Sequence, residues 1–273
     1  MQTVYVGNTL INDVMLGSQR MDDVFTPLAS IQAEYLIVAS GNYGGSSGGS
    51  PSRRGGGGGA GGLLSGSLSI LPNINYFIQV GGFDANNIAY QSYITGSNIY
   101  SVATGGGTGG NGGFTDGSKN GANGGSGGGG GYFSSNQGTA GTGIVGQGND
   151  GNVATTSTGG GGGGAGSVGV SGAAGGAGGS GKASAINGTL TTYSVGGNGG
   201  SNNNGVNFGD GGGSATAGTR GTPKVGVVIL RYLGPQKFVG GTVTTDGAYT
   251  IQTFNNTTST LGAAYDRFTI FYS

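Results

Sequence analysis

Homopolymer runs of glycine dominate this sequence, and the longest are Gly55–Gly59, Gly127–Gly131 and Gly159–Gly164. Glycine makes up 72 of the 273 residues. It has no side chain, so it supplies no apolar core, catalyst or ligand. What it supplies is a backbone that other backbones can approach closely from every side. The runs therefore favour a structure built from main-chain contacts.

The remaining composition excludes several classes of function. The chain has no His and no Cys, which removes the commonest metal ligand, the commonest general base and thiolate sites. The ten basic and ten acidic side chains balance, whereas a nucleic-acid-binding protein needs a positive surface. Arg53–Arg54 is the notable basic pair, and it predicts a solvated loop. We therefore expect no cofactor, no metal and no nucleic-acid partner.

The sequence also predicts neither a membrane span nor a targeting signal. No apolar stretch reaches the roughly 18 residues needed to span a bilayer, so membrane insertion is not expected. Met1 is not followed by a basic segment and an apolar stretch, so we expect no secretory signal.

Three zones differ in composition, at residues 1–33, 34–234 and 235–273. The first contains a weak ten-residue repeat: Val4–Asn8 matches Val14–Ser18, and Asp23–Phe25 begins a third copy. Each copy predicts short strands around a Gly-Asn or Gly-Ser turn. Isolated hairpins are marginal in water, so this zone is interpreted as an attachment or oligomerisation element, with the first hairpin of the fold as the alternative.

Apolar β-forming segments flank the glycine-rich zone. Tyr35–Ala39 and Val225–Tyr232 predict two buried strands that pair and bring the ends of the insert together. Leu68–Leu71 and Tyr76–Val80, joined by turn-forming residues, predict a further pair of strands in a small sheet.

The last zone carries further strand signals. Asp246-Gly247 between β-formers predicts a hairpin, and Arg267–Tyr272 alternates as a final strand. No helical period is present. The fold class predicted is mainly β with irregular extended structure, comprising small antiparallel sheets and almost no α-helix.

Four interpretations compete for the glycine-rich zone. A phosphate-binding loop needs a helix after the glycines, and none is predicted. Collagen needs glycine at every third position and abundant proline, whereas the glycines here are aperiodic and the chain has five prolines. A flexible linker would not need the interspersed apolar pairs. The fourth is a bundle of polyglycine II-type helices, extended threefold helices that hydrogen-bond sideways to one another. Gly159–Gly164 suits the interior of such a bundle, Gly169–Ala177 suits its rim, and polar clusters such as Asn202–Asn204 suit its reversals.

Energetics set a condition on that bundle. Ordering one residue costs about 1–2 kcal/mol of backbone entropy, and a hydrogen bond returns about 0.5–1.5 kcal/mol net. Nearly every amide must therefore find a partner, and the flanking strands must add apolar burial. We expect strands and glycine runs to form one cooperative unit.

Several segments together resemble the glycine-rich domain of bacteriophage tail fibre and related virion proteins. They are Ala33–Gly41, Gly55–Ser67, Tyr76–Gly81, Gly146–Asn149, Gly159–Gly166 and Val225–Tyr232. The hairpin Gly240–Phe254 is similar to one that usually precedes the Glu-Tyr-Leu strand in that family, although here it follows the domain. The resemblance implies a polyglycine-helix adhesin or other structural protein of the virion, and it implies no catalytic residue.

The function expected is a tail fibre or tail-tip protein that displays loops to a host-surface receptor, either a glycan or an outer-membrane protein. The alternative is a purely architectural head fibre, decoration or collar component. An enzyme is not expected, because the Asp residues are scattered over separate loops. Other virion proteins would bind the N-terminal element, and we expect a homo-oligomer, with a trimer favoured. The candidate receptor-facing residues are aromatic side chains expected on reversals: Phe83, Tyr90, Tyr93, Tyr132, Phe133 and Phe208.

Overall fold

The computed structural model describes most of the chain, and it is mainly β. The described residues are 4–6, 9–11, 15–16, 19–20, 29–47, 53–84, 86, 88–113, 117–172, 175–215, 218–255 and 265–272. Within them the one helical element is a 3₁₀ turn, Gly117–Lys119, and no helix is long or apolar enough for a membrane span. The prediction of small antiparallel sheets with almost no α-helix is confirmed for the part of the chain described.

The strands are numbered in chain order. The first nine are β1 (Val4–Val6), β2 (Thr9–Ile11), β3 (Met15–Leu16), β4 (Gln19–Arg20), β5 (Ile31–Val38), β6 (Arg53–Arg54), β7 (Leu63–Ile70), β8 (Asn75–Gly81) and β9 (Ser92–Gly96). The others are β10 (Ile99–Ala103), β11 (Tyr132–Phe133), β12 (Asn136–Gln137), β13 (Lys182–Ser184), β14 (Thr191–Tyr193), β15 (Val227–Leu233), β16 (Thr242–Asp246), β17 (Tyr249–Asn255) and β18 (Tyr265–Phe271).

The largest sheet has five strands in the order β16-β17-β15-β5-β7. At its centre β5 pairs antiparallel with β15, with Val38 opposite Val227. The prediction that the two apolar segments flanking the glycine-rich zone pair with each other is therefore confirmed. Leu36–Val38 of β5 and Val227–Leu230 of β15 are buried on both faces, which accounts for the continuous apolar sequence of these parts.

A second sheet has four strands in the order β10-β9-β8-β18. The prediction that the third pair, Leu68–Leu71 and Tyr76–Val80, would lie side by side is wrong, because β7 pairs with β5 and β8 pairs with β9 and β18. Residues 71–74 carry the chain from one sheet to the other. The Tyr76 hydroxyl fixes this crossing by accepting the Leu71 amide at 2.9 Å and donating to Asn98 Oδ1 at 2.7 Å.

Apolar side chains between and around the sheets form two clusters. The larger includes Ile37, Leu230 and Phe254 from the first sheet and Ile78 and Ile270 from the second. The smaller covers the other face of the first sheet, where its members are Leu36, Val38, Leu63, Ile186, Tyr193, Val227, Ile229 and Ile251. The hairpin formed by β13 and β14 supplies Tyr193 to this second cluster.

The C-terminal zone contributes strands to both sheets. The predicted Asp-Gly hairpin is confirmed, since β16 and β17 pair with Asp246 opposite Tyr249, and Gly247 has a φ of 59°. The predicted final strand is β18, which pairs with β8. The hairpins β1–β2 and β3–β4 are present at the N-terminal repeat, whereas its third copy lies outside the described residues.

Residues 55–62, here called the central run, form no ladder with one partner but bond to three neighbouring segments in turn. Every third amide donates to the same segment, at N–O distances of 2.8–3.0 Å. The pairs, donor first, are Gly56 with Gly110, Gly59 with Gly107, Gly62 with Thr104, Gly57 with Gly160, Ala60 with Gly163, Gly58 with Gly212 and Gly61 with Gly209. Amides three residues apart therefore point to the same neighbouring segment, so the backbone of the central run has a period of three.

Carbonyl groups of the central run accept from three further segments, 39–45, 126–129 and 197–200. The run is therefore surrounded by six segments, and each of its residues is buried. Residues 127–130 and 159–164 follow the same pattern: amides of Gly160 and Gly163, for example, donate to Gly130 and Gly127. Gly159–Gly164 is buried throughout, whereas Val170 and Ala177 are exposed.

The runs share two well-defined ends. Four of them continue strands directly: 39–47 follows β5, 55–62 precedes β7, 104–112 follows β10 and 219–226 precedes β15. Hydrogen bonds between neighbouring runs align the ends of the other runs with the ends of these four. Every run therefore has one end beside the sheets and one end remote from them.

Candidate functional site

The remote ends of the runs are joined by chain reversals, and together these form a surface that we call the distal face. The described residues that form it are 47, 53–54, 111–113, 117–118, 131–138, 154–158, 171–172, 175, 199–203, 215 and 218–220. Side chains longer than alanine are concentrated at such reversals, because the interior runs leave no room for them. A Cβ atom added to Gly57 would lie 1.9 Å from the Gly197 oxygen, and one added to Gly129 would lie 2.0 Å from the Gly160 oxygen.

Two of the six candidate aromatic residues, Tyr132 and Phe133, lie on the distal face. They form β11, which pairs with β6 so that Tyr132 is opposite Arg54 and Phe133 is opposite Arg53. The Arg53 guanidinium lies 5.1 Å from the centre of the Phe133 ring, a cation–π distance. The predicted solvated loop at Arg53–Arg54 is thus a short strand, because β11 offers it a backbone partner.

The turn after β11 has an uncommon backbone. Ser134 and Ser135 have φ values of 44° and 72°, the left-handed conformation that a two-residue hairpin requires and that glycine or asparagine usually supplies. The Ser135 amide donates to the Tyr132 hydroxyl at 3.2 Å. Backbone in this conformation is concentrated at functional sites, so the hairpin formed by β11 and β12 is a candidate contact site.

Lys119 and Arg220 add two more cations to the distal face. The Lys119 carbonyl accepts the Gly131 amide at 2.7 Å, which places Lys119 beside the start of β11. The Arg220 guanidinium lies 5.1 Å from the centre of the Tyr43 ring. Among the described residues no ion pair joins a carboxylate to Arg53, Arg54 or Lys119; the salt bridges found there connect Arg231 to Glu34 and Asp246.

The other four candidate aromatic residues lie away from the distal face. Phe83 is buried and packs edge-on against Tyr43, with ring centres 5.4 Å apart. Tyr90 is half-buried, and its hydroxyl donates to Asp84 Oδ2 at 3.2 Å. Tyr93 lies within β9 rather than on the predicted reversal, because the segment from Ser92 to Ala103 forms a hairpin that the sequence analysis did not identify.

Phe208 and Phe83 line one surface pocket near the sheets, with a volume of about 430 Å³. Its other lining residues include Val206, Pro223 and Lys224. Phe208 also packs against the smaller apolar cluster. Of the six candidates, Tyr132 and Phe133 are therefore the two on the distal face, where Arg53, Arg54 and Lys119 are clustered.

A buried carboxylate organises the chain next to this pocket. Asp210 accepts the amides of Val195, Val206 and Asn207 at 2.8–3.0 Å. Burial raises the pKa of Asp210, while these amides and the charge of Lys224 favour its ionised form. Val206 and Asn207 belong to the same turn, whereas Val195 belongs to a neighbouring segment, so Asp210 fixes the 206–210 turn and ties it to that segment.

Asparagine side chains complete the hydrogen bonding of outer runs, a feature that the sequence analysis missed. Asn120 and Asn123 accept the amides of Thr139 and Thr142 through their side-chain oxygens at 3.0 and 2.8 Å. Asn149 and Asn152 donate to the carbonyls of Gly164 and Gly169 at 2.7 and 3.0 Å. In both pairs the asparagines are three residues apart, which is a signal that the sequence offers.

No group of three or more acidic side chains is close enough to hold a metal ion within the described ranges. At the distal face, the Arg and Lys side chains can attract an anionic group, and the rings of Tyr132 and Phe133 can contact an apolar surface. Comparison with protein-family models, curated proteins and solved structures finds no match to this chain.

Proposed function

We propose that the glycine-rich runs are polyglycine II-type helices packed side by side. Three features support this assignment: the period of three in the hydrogen bonds of the central run, its six neighbouring segments, and the absence of space for a Cβ atom between them. A threefold extended helix makes no internal hydrogen bonds and directs its amides and carbonyls outward. Lateral bonding on all sides is the arrangement that this geometry favours.

Hydrogen exchange tests the bundle directly. We expect the amides of Gly56 to Gly62 to exchange at least about a thousandfold more slowly than an open chain, as slowly as those of β5, because they open only with the whole fold. Val145 and Gly146, in an exposed turn beside the sheets, should exchange rapidly and serve as the internal control. Amide exchange measured by NMR or mass spectrometry gives the result, and rapid exchange throughout the central run would contradict the assignment.

We further propose that the protein is a structural component of a bacteriophage tail fibre or tail tip, and that its distal face is presented to a receptor on the host surface. The observation that carries the proposal is the geometry of the runs, which form a cross-linked scaffold and gather one of their two sets of reversals at the end remote from the sheets. Loops held by a rigid scaffold are the usual location of binding residues. The resemblance to glycine-rich tail fibre domains points to the same role.

This proposal assigns a binding and structural role and no catalysis. The N-terminal hairpins are the proposed attachment point to other virion proteins, and a homo-oligomer, with a trimer favoured, stays a prediction. The position of the protein on the virion distinguishes the tail fibre from its architectural alternative.

Immunogold electron microscopy of phage particles that carry this chain tests the location. Antibodies against the recombinant protein should label the tail fibres or tail tip, and the same protein should reduce adsorption of the phage to host cells. Label confined to the capsid or collar, together with unchanged adsorption, would contradict the receptor-binding role and favour an architectural component. Antibodies against a capsid protein provide the control for labelling position.

A further inference from the structure

The described residues of the distal face include basic side chains and no acidic one. Four of the chain's ten basic residues, namely Arg53, Arg54, Lys119 and Arg220, belong to distal-face reversals or flank them directly. The acids among the described residues lie in the sheets, in their connections or at the run ends beside them: Glu34, Asp84, Asp150, Asp210, Asp246 and Asp266. Asp116 lies outside the described residues.

The cations gather around one strand. Arg54 is opposite Tyr132 in the β6–β11 pair, and Lys119 is bonded through its carbonyl to Gly131, the residue before Tyr132. Arg53, Arg54 and Lys119 are all half-exposed, as are the rings of Tyr132 and Phe133. Within the described part of the chain Arg53, Arg54 and Lys119 form no ion pair with a carboxylate. Such cations beside partly exposed aromatic rings combine attraction for an anion with a flat apolar contact for a sugar ring.

We infer that the distal face around β6 and β11 binds an acidic polysaccharide, one that carries carboxylate or phosphate groups. This inference rests on the proposed role of the distal face in receptor binding and specifies the chemistry of that receptor. A nucleic acid is the poorer fit, because tight binding to its dense phosphates needs more contacts than these few cations provide. A neutral glycan would leave the clustered cations unused.

Binding of the full-length protein to immobilised polysaccharides tests the inference. The probes are polygalacturonate for carboxylates, phosphomannan for phosphates, dextran as the neutral glycan and double-stranded DNA as the other polyanion. We expect binding to at least one acidic polysaccharide that weakens with added salt, with dextran and DNA bound at least about tenfold more weakly. The double variant Arg54→Gln/Lys119→Gln should lose about tenfold in affinity for the acidic polysaccharide.

A matched control removes the same charge elsewhere. Lys182 and Lys237 are exposed and lie outside the distal face, so Lys182→Gln/Lys237→Gln should bind like the wild type. Equal losses in both double variants, equal binding to DNA, or no binding to either acidic polysaccharide would each overturn the inference. Adsorption competition by the same variants separates the two proposals: if Arg54→Gln/Lys119→Gln still blocks phage adsorption, the acidic-glycan inference fails while the receptor-binding role stands.

Discussion

Gly57→Ala should destabilise the protein by about 3 kcal/mol, near the upper end of the usual cost of overpacking. The new methyl carbon would lie 1.9 Å from the Gly197 oxygen and 2.5 Å from its carbonyl carbon. These are main-chain atoms, so no side chain can rotate away. The Gly57 amide and carbonyl also bond to Gly160 and Gly129, and displacing the run strains both contacts. Urea denaturation followed by circular dichroism measures the change.

Gly172→Ala is the control for that variant. The nearest atom to a methyl group there is the Gly175 oxygen at 3.3 Å, and the change should alter the free energy of unfolding by no more than about 0.5 kcal/mol. Similar small effects at Gly57 and Gly172 would contradict the dense backbone packing described for the central run.

Phe254→Ala should cost about 3–5 kcal/mol, the usual range for removing a large aromatic side chain from a core. Phe254 is fully buried in β17 and packs against Phe268 of the second sheet, with ring centres 5.2 Å apart. Its loss leaves a cavity where the two sheets meet. The same denaturation experiment gives the magnitude, and Phe271→Ala is the matched control because Phe271 is 43% exposed in β18.

The Phe254 variant also tests cooperativity. If sheets and glycine runs unfold together, Phe254→Ala should speed amide exchange in the central run and in β5 by the same factor. Faster exchange in β5 with unchanged exchange in Gly56–Gly62 would show that the bundle is stable independently of the sheets.

The sequence predicted the strands well because their signals are local. β5 and β15 are runs of β-branched and large apolar residues, and Asp246-Gly247 provides the backbone conformation for its hairpin. The partner of β7 could not be predicted in this way. Pairing depends on which neighbour covers each edge, and Pro72–Asn75 fits a tight turn as well as a crossing between sheets.

The candidate site was predicted only in part for a related reason. An aromatic residue that follows a glycine run has a similar local sequence whether it faces solvent, as Tyr132 partly does, or fills a gap, as Phe83 does. Exposure depends on which run lies alongside, and glycine carries no information about its neighbours. Likewise, Lys119 is distant in sequence from Arg54, and only the placement of β11 between them brings the two cations to one surface.

The asparagines on the outer runs have a consequence for the size of the object. An array of packed glycine chains has no built-in edge, because each outermost chain presents the same donors and acceptors as the chain beneath it. Such a chain can bind a further chain, as an open β-edge does. Asn120 and Asn123 occupy the amides of Thr139 and Thr142 from within the molecule. At this edge, side-chain carboxamides occupy the positions where a further chain would bind. They therefore limit lateral association between copies of this almost uncharged, glycine-rich protein.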